Sequence, residues 1–233
     1  MTQRTFASEK EFTAWNEEMF KKHTNERCFT HPNPLLRYVE QQRLKYLLKY
    51  SAITENDQVL EVGCGSGYIL NLIDKGELHG IDLSNAAITW AKDKLKHKPN
   101  VKHLSVQPAE KMTFPDNSFD VVFCSEVIEH VPDPQKLLAE IFRVAKPDAR
   151  IVITFPNEGF INFCKRCVKT VGLYKLILPG IPEHMEDEWH LTEFSKKLFI
   201  QLTADNFFIL KMKPIPWFFA PLRYAALIRK KHL

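Results

Sequence analysis

The sequence lacks any long apolar run. No stretch approaches the roughly 18 consecutive apolar residues of a membrane-spanning helix. The first residues, Met1 to Arg4, also lack the apolar core of a signal peptide. These absences predict a cytoplasmic protein that does not cross a membrane, and they leave room for a location peripheral to the inner membrane surface.

Cysteine and excess charge are also scarce. The chain has five cysteines, an odd number at irregular spacings, which favours reduced thiols over a disulfide framework. Cys164 and Cys167 form a CxxC pair, but no second Cys or His pair follows at zinc-finger spacing, so we interpret them as small apolar residues on a helix. The net charge of +4 neither requires nor excludes nucleic acid.

Glycine is sparse, with eight residues in the chain, yet Gly63, Gly65 and Gly67 stand together. They follow an apolar run at 59–62, which is typical of a strand that turns into a helix. Glycines allow positive φ and close approach of a ligand, and a helix N-terminus presents free N–H groups. The spacing is GxGxG and differs from the GxGxxG of dinucleotide sites, which disfavours a nicotinamide oxidoreductase.

The middle of the chain alternates β-branched runs with helical patterns. Strands are predicted at 59–62, 78–81, 101–106, 119–124 and 150–154, and helices at 67–75, 85–95 and 134–144. This alternation predicts an α/β, Rossmann-like fold, in which a mostly parallel central sheet carries helices on both faces. Asp133 before Pro134 signals the start of the last of these helices.

The N-terminal segment, residues 1–50, is predicted to be a helical extension of the same domain that acts as a lid. Ser8 and Glu11 form a capping box for its first helix, and Asn33 before Pro34 signals its second.

The Rossmann-like domain is expected to span 51–233, with a lid or insertion at 157–190 after the fifth strand. Thr192 is predicted to cap a helix that ends near Thr203, and one strand is predicted at 207–212. No second closing strand is evident.

Asp82 lies at the tip of the second predicted strand, where a carboxylate can accept hydrogen bonds from two ribose hydroxyls. The chain resembles the class I methyltransferases that use S-adenosylmethionine, of methyltransferase type 11. The motifs that carry the resemblance are the glycine turn at 61–67, Asp82, the Phe-Pro-Asp-Asn-Ser-Phe-Asp run at 114–120 and Glu-His-Val at 129–131. The resemblance covers 57–155 and implies an enzyme that transfers a methyl group from this cofactor to a small-molecule or lipid-like acceptor. The run at 124–134 is similar to quinone-biosynthesis O-methyltransferases, which favours oxygen as the acceptor atom.

The resemblance also implies a set of cofactor-binding residues, which are Glu61, Gly63, Cys64, Gly65, Asp82, Leu83, Ala109, Glu110, Ser125 and Arg37. The glycine turn would line the methionine part, Asp82 the ribose and Leu83 the adenine. Arg37 would approach the cofactor carboxylate with a one-residue offset, and a solvated helix arginine is the alternative. The chain departs from the family at Pro108, where an Asp usually accepts the adenine amine, so Glu110 or a backbone carbonyl must substitute.

Histidine is the expected base for methylation of oxygen or nitrogen, because its ordinary pKa suits proton removal at neutral pH. His190 is the first candidate, followed by His130 with Glu129 beside it, and His184 is a further one. The alternative for His190 is a structural role at the start of the Thr192 helix, and carbon methylation would need no base.

A divalent cation is a second hypothesis for this region. Glu126, Glu129 and His130 stand at i, i+3 and i+4, so a helical turn would bring them to one face that could bind a cation. The same pattern also occurs where these residues only shape a pocket.

Two aromatic and basic segments, 160–178 and 217–231, suggest a peripheral membrane contact, or else a lid that packs on the sheet. No DNA-methylase type motif follows the fourth strand, so nucleic acid is not the expected acceptor. A catalytically weak cofactor-binding scaffold is the alternative to an active enzyme.

Overall fold

A computed structural model describes residues 6–22, 33–170, 172 and 189–231. The helices are α1 (Glu9–Lys22), α2 (Pro34–Ser51), α3 (Tyr68–Asn71), α4 (Asn85–Leu95), α5 (Pro134–Val144), α6 (Glu158–Thr170) and α7 (Lys196–Thr203). The strands are β1 (Gln58–Val62), β2 (Glu77–Asp82), β3 (Val101–Val106), β4 (Phe119–Ser125), β5 (Ala145–Pro156), β6 (Phe207–Pro216) and β7 (Pro221–Lys230).

The strands form one seven-stranded sheet in the order β3-β2-β1-β4-β5-β7-β6. Strands β1 to β5 are parallel, and β7 runs antiparallel between β5 and β6. The predicted α/β, Rossmann-like class is therefore confirmed. Among the described residues, no helix combines the length and apolar character needed to cross a membrane.

Apolar residues on both faces of the parallel strands explain why helices cover both sides. Val59 packs in one core cluster with Leu47 of α2 and Leu95 of α4, whereas Leu60 packs in the other with Ile141 of α5. Since successive strand residues point to opposite faces, neighbouring residues of β1 serve both clusters.

The predicted helix starts at Asn33 and Asp133 agree with the structure. Asn33 Oδ1 accepts a hydrogen bond from Leu35 N at 2.9 Å, and Asp133 Oδ1 accepts from Gln135 N and Lys136 N, each at 3.1 Å. Ser8 likewise accepts from Glu11 N at 3.2 Å, at the start of α1.

Two predicted boundaries are wrong. The helix predicted at 67–75 is a single turn, because the chain reverses at Gly76, whose φ of 74° is left-handed, to begin β2. Thr192 is not the cap of α7: its N–H donates to Glu129 O at 3.3 Å, and Ser195 Oγ caps the helix by accepting from Leu198 N at 3.2 Å.

The C-terminal segment is a strand where an amphipathic ending was predicted. Residues 221–230 form β7, and Tyr224, Ala226 and Ile228 are buried between the sheet and the helices. This part of 217–231 therefore forms part of the sheet and not a lid over it, while the membrane contact suggested for the segment stays a prediction. Its apolar run at 224–228 is that of a strand covered on both faces, and β7 supplies the missing second strand that closes the sheet.

Candidate active site

A glycine turn opens the site at the carboxyl end of β1. Gly63, Gly65 and Gly67 have φ values of 71°, 51° and 76°, which are left-handed. A Cβ on Gly63 would lie 2.3 Å from Val127 Cγ2, so a side chain there would clash with the loop that follows β4. The turn therefore needs glycine for both its backbone conformation and its packing.

Asp82, at the end of β2, braces this turn. Its Oδ2 accepts a hydrogen bond from Gly65 N at 2.9 Å and its Oδ1 accepts from Ser84 N at 2.8 Å. Burial raises the pKa of Asp82, and these two N–H groups oppose the shift. Each carboxylate oxygen has a further lone pair, so Asp82 can still accept hydrogen bonds from a ligand.

A cleft of about 680 Å³, continuous with solvent, lies beside the turn. Five predicted cofactor residues line it, together with one predicted catalytic residue: Gly63, Asp82, Leu83, Ala109, Glu110 and His130. Glu110 Oε1 accepts from Asp133 N at 3.2 Å, and burial raises the pKa of the Glu110 carboxyl.

Helix α1 forms a wall of the cleft through Phe12, Asn16 and Phe20. The helix is fixed to the start of α4, just after β2, because Glu17 Oε2 accepts from Ser84 Oγ at 2.7 Å. Asn16 Oδ1 is buried without a hydrogen-bond partner among the residues that the structure describes. It is therefore an amide oxygen available to a ligand in the cleft.

Two predicted residues lie behind the glycine turn. Glu61 is buried in β1, and burial raises its pKa well above the ordinary value, against the effects of Arg43 and the Leu70 N–H. The hydrogen bond from Leu70 N–H links Glu61 of β1 to α3. The thiol of Cys64 packs in the core with Ile69 and Leu70, and burial likewise raises its pKa.

Arg37 does not line the cleft, and a different arginine reaches the end of β4. Arg43, on α2, is buried and donates to Ser125 Oγ through Nη1 and to Glu40 Oε2 through Nε at 2.8 Å. Although burial alone would raise it, Arg43 and Arg223 hold the pKa of Glu40 below its ordinary value. Glu40 is thus an anion that keeps both arginines in place.

The predicted Glu126, Glu129 and His130 face does not form. Residues 126–131 make turns, and Glu126 adopts a φ of 55°. Its carboxylate accepts from Thr154 Oγ1 at 2.8 Å and pairs with Arg223, so Glu126 is already neutralised by a cation of the protein.

Instead, the structure brings together Glu129, His130 and His190. Each offers one atom that could ligate a metal ion, and these three atoms lie within 4.8 Å of one another. The two imidazole centroids are 4.7 Å apart. The Glu129 carboxylate oxygens have no hydrogen-bond partner in the described part of the chain, and burial raises the pKa of Glu129 to about 8. Glu129 is therefore mostly neutral at pH 7.

The two histidines differ in their surroundings. Burial, together with the adjacent His190, holds the pKa of His130 well below its usual range, so His130 stays neutral. His190 has a carboxylate behind it, because its Nδ1 lies 2.8 Å from Oε1 of the buried Glu158. This pairing fixes the orientation of the His190 ring. His184 lies outside the described residues.

Several site residues were not predicted from the sequence. Phe12, Asn16 and Phe20 belong to a helix whose cap was recognised but whose docking surface was not. Trp189, whose carbonyl lies 3.1 Å from His130 Nδ1, is adjacent to His190 in the chain. Arg43 stands six residues after Arg37 on the same helix, and its spacing of four from both Val39 and Leu47 is the signal that could have placed it on the buried face.

Known proteins are similar to this chain in sequence and in fold. The family profile described as "Methyltransferase domain" matches residues 60–153. A SAM-dependent methyltransferase structure from Methanosarcina mazei is 26% identical, with a TM-score of 0.61, and the match covers 80% of this chain and 97% of that one. Residues 60–153 of the chain are thus similar to the methyltransferase-domain family, and the fold is similar to that of this SAM-dependent methyltransferase.

Within that family, two named relatives are similar to parts of the chain. "Ubiquinone biosynthesis O-methyltransferase" of Coxiella burnetii is 26% identical over 153 residues, which is 65% of each protein. "Phosphoethanolamine N-methyltransferase 2" of Caenorhabditis elegans is 31% identical over 123 residues, or 51% of this chain and 28% of that protein. The chain thus matches just under two thirds of the first relative's length.

Proposed function

We propose that this protein transfers the methyl group of S-adenosylmethionine to a hydroxyl group of a small-molecule or lipid-like acceptor. The observation that carries the proposal is the His190–Glu158 pair, which stands next to a cleft-lining histidine at the end of the sheet where the glycine turn and Asp82 also lie. Because His190 contacts the cleft-lining His130, a half-buried proton acceptor stands beside the cofactor cleft.

The cofactor would be held from three sides. Asp82 would accept hydrogen bonds from the ribose hydroxyls, and Leu83 would pack on the adenine. The family usually has an Asp where this chain has Pro108, and that carboxylate accepts a hydrogen bond from the adenine amine. Asn16 Oδ1, which has no hydrogen-bond partner in the described chain, is suited to accept this hydrogen bond instead. Arg43 would pair with the cofactor carboxylate, because it is the cation at the end of β4.

In the reaction, the acceptor oxygen forms a bond to the methyl carbon while the bond from that carbon to the sulfonium sulfur breaks. The hydroxyl proton passes to His190 Nε2, and the protein releases the methylated acceptor and S-adenosylhomocysteine. Glu158 stabilises the imidazolium that forms. His130 is a positioning residue, since its Nδ1 is engaged by the Trp189 carbonyl and its ring contacts His190.

The same three side chains, Glu129, His130 and His190, are also a donor set that a divalent cation could use. The base role favoured here needs the Nε2 of His190 free. Methyl transfer should therefore persist in EDTA, and strict dependence on added Mg²⁺ would favour the cation hypothesis.

Turnover tests the proposal directly. Formation of S-adenosylhomocysteine should be measured with a catechol that carries an isoprenoid tail, and with phosphoethanolamine as the nitrogen acceptor. We expect turnover with the catechol only. Cofactor binding without turnover on any acceptor would support a scaffold, and turnover with phosphoethanolamine alone would assign nitrogen.

Substitution of Arg43 tests the carboxylate contact. Arg43→Met should weaken S-adenosylmethionine binding about tenfold or more, because an ion pair with the cofactor is lost. Arg37→Ala is the matched control on the same helix and should bind as wild type. Binding is measured by calorimetry.

A carboxylate-free ligand separates this contact from misfolding. The Arg43→Met variant should bind 5′-methylthioadenosine, which has no amino acid part, as tightly as wild type does. Equal losses for both ligands would show that Arg43 acts on the fold and not on the carboxylate.

A further inference from the structure

The connection between β6 and β7 carries three exposed aromatic rings. Phe218 is 82% exposed, Phe219 66% and Trp217 40%. The Trp217 and Phe219 rings stack with centroids 5.7 Å apart, and Phe218 meets Phe219 edge-on at 5.3 Å. Large apolar side chains are rarely this exposed in a cluster unless the surface contacts another apolar phase.

Helix α2 extends this surface at its N-terminal end. The Tyr38 ring lies 6.0 Å from that of Trp217, and both Tyr38 and Leu35 are exposed, by 38% and 42%. We call these five residues, Leu35, Tyr38, Trp217, Phe218 and Phe219, the aromatic tip.

Positive charge lies along the seam between α2 and β6, which runs from the aromatic tip towards the C-terminal end of α2. Lys45 and Lys49 are exposed on α2, while Lys211 and Lys213 lie over the rings of Tyr50 and Tyr46 of the same helix. The only acidic residue in 34–51 and 206–231 is Glu40, which is buried and paired with Arg43 and Arg223. This surface therefore favours an anionic partner.

The tip also lies at the cleft end of the sheet. Strand β5 ends at Pro156, which is paired with Arg223 near the start of β7, and Asn157 Nδ2 donates to Pro221 O at 2.9 Å. Arg223 in turn pairs with Glu126, which lines the cleft. A partner bound at the tip would consequently adjoin the cleft opening.

We propose that the aromatic tip inserts into the headgroup region of an anionic lipid bilayer. Aromatic rings partition to this interface, and neighbouring lysines are attracted to anionic headgroups. Three rings of the tip stand on the connection between β6 and β7, where they are exposed, so a deformable lipid surface can receive them. The chain beyond the tip is the strand β7. The inference rests on the proposed function only where it explains how a lipid-like acceptor would reach the cleft.

Flotation with lipid vesicles tests this inference. The protein should bind vesicles of equimolar phosphatidylcholine and phosphatidylglycerol, and bind vesicles of phosphatidylcholine alone much more weakly. The variant Trp217→Ser/Phe218→Ser/Phe219→Ser should lose about tenfold or more of its affinity for the anionic vesicles. Phe163→Ser, which removes a ring of α6 that is 55% exposed, is the matched control and should bind as wild type.

Other outcomes would overturn it. Loss of binding in Phe163→Ser but not in the tip variant would move the contact to α6. If the protein bound a DNA duplex through the tip and did not bind vesicles, the partner of the tip would be nucleic acid. If it formed a dimer through the tip and did not bind vesicles, the partner would be a second copy of this chain. The tip variant should keep wild-type turnover on a water-soluble catechol, so vesicle binding and the proposed methyl transfer can fail separately.

Discussion

Asp82→Ala should abolish measurable binding of S-adenosylmethionine and S-adenosylhomocysteine. The carboxylate would accept hydrogen bonds from two ribose hydroxyls, and each hydrogen bond to a charged group contributes about 1.5–3 kcal/mol to the free energy of binding. The same side chain braces Gly65 and Ser84 at 2.9 and 2.8 Å, so its loss also loosens the glycine turn. Together these effects predict a loss of at least about a hundredfold in affinity by calorimetry.

An exposed aspartate supplies the control for Asp82. Asp93→Ala removes a carboxylate whose side chain is 81% exposed on α4, and it should bind as wild type with an unchanged melting temperature. Wild-type affinity in Asp82→Ala would mean that the ribose lies elsewhere. If the unmodified protein bound neither ligand, the departure at Pro108 would mark a degenerate site.

Acidification should mimic the Asp82 substitution in part. Because burial raises the pKa of Asp82, the carboxyl takes up a proton at a higher pH than an ordinary aspartate. The protonated group loses acceptor capacity for the ribose. Affinity should therefore fall as the pH drops through this raised pKa, and the control variant Asp93→Ala should show the same fall.

The parallel part of the fold could be predicted from the sequence because its signals are local. Each strand is a short apolar run, and caps such as Asp133 act within a few residues of the chain. The GxGxG turn also fixes its own geometry, since three positive φ values require glycine. Strand ends and glycine turns then converge by topology, which explains why Gly63, Asp82 and Leu83 line the cleft as expected.

What could not be predicted depends on contacts between distant segments. The choice of Arg43 over Arg37 follows from how α2 packs against β5 and β7, and from Glu40, which binds both Arg43 and Arg223. The helical period gives a weaker signal, since Arg43 lies four residues from both Val39 and Leu47 on the buried face of α2. The same dependence on distant contacts holds for α1, whose placement over the cleft depends on the hydrogen bond from Ser84 to Glu17.

The prediction for residues 221–230, which form β7, failed for a different reason. The basic and aromatic content of the segment received more weight than the pattern of apolar residues along it. Its arginine and lysine residues, with aromatics before them, resemble an interfacial helix in content. Tyr224, Ala225, Ala226 and Ile228 are all buried, in core clusters on the two faces of the sheet, which is the pattern of an interior strand. Within 217–231, the exposed rings of Trp217, Phe218 and Phe219, just before β7, are the part that still fits the interfacial surface suggested by the composition.

His190→Ala should leave cofactor binding unchanged and lower kcat by about 10²- to 10⁴-fold, the usual contribution of a general base. Its imidazole is set by Glu158 at 2.8 Å and by His130, whose depressed pKa prevents it from competing for the proton. The rate of the unmodified enzyme should rise with pH on the acidic side, and that dependence should disappear in the variant. Glu158→Gln should give a smaller loss, because it keeps the ring but weakens the stabilisation of the imidazolium.

His103→Ala is the matched control for this base assignment. That imidazole is exposed on β3, with its Nε2 at 2.8 Å from Ser105 Oγ, so its removal should leave kcat unchanged. Full activity of His190→Ala across the pH range would refute the base role. A large loss in His130→Ala alone would transfer the role to His130, whereas unimpaired turnover in both variants would indicate an acceptor that ionises without help from the protein.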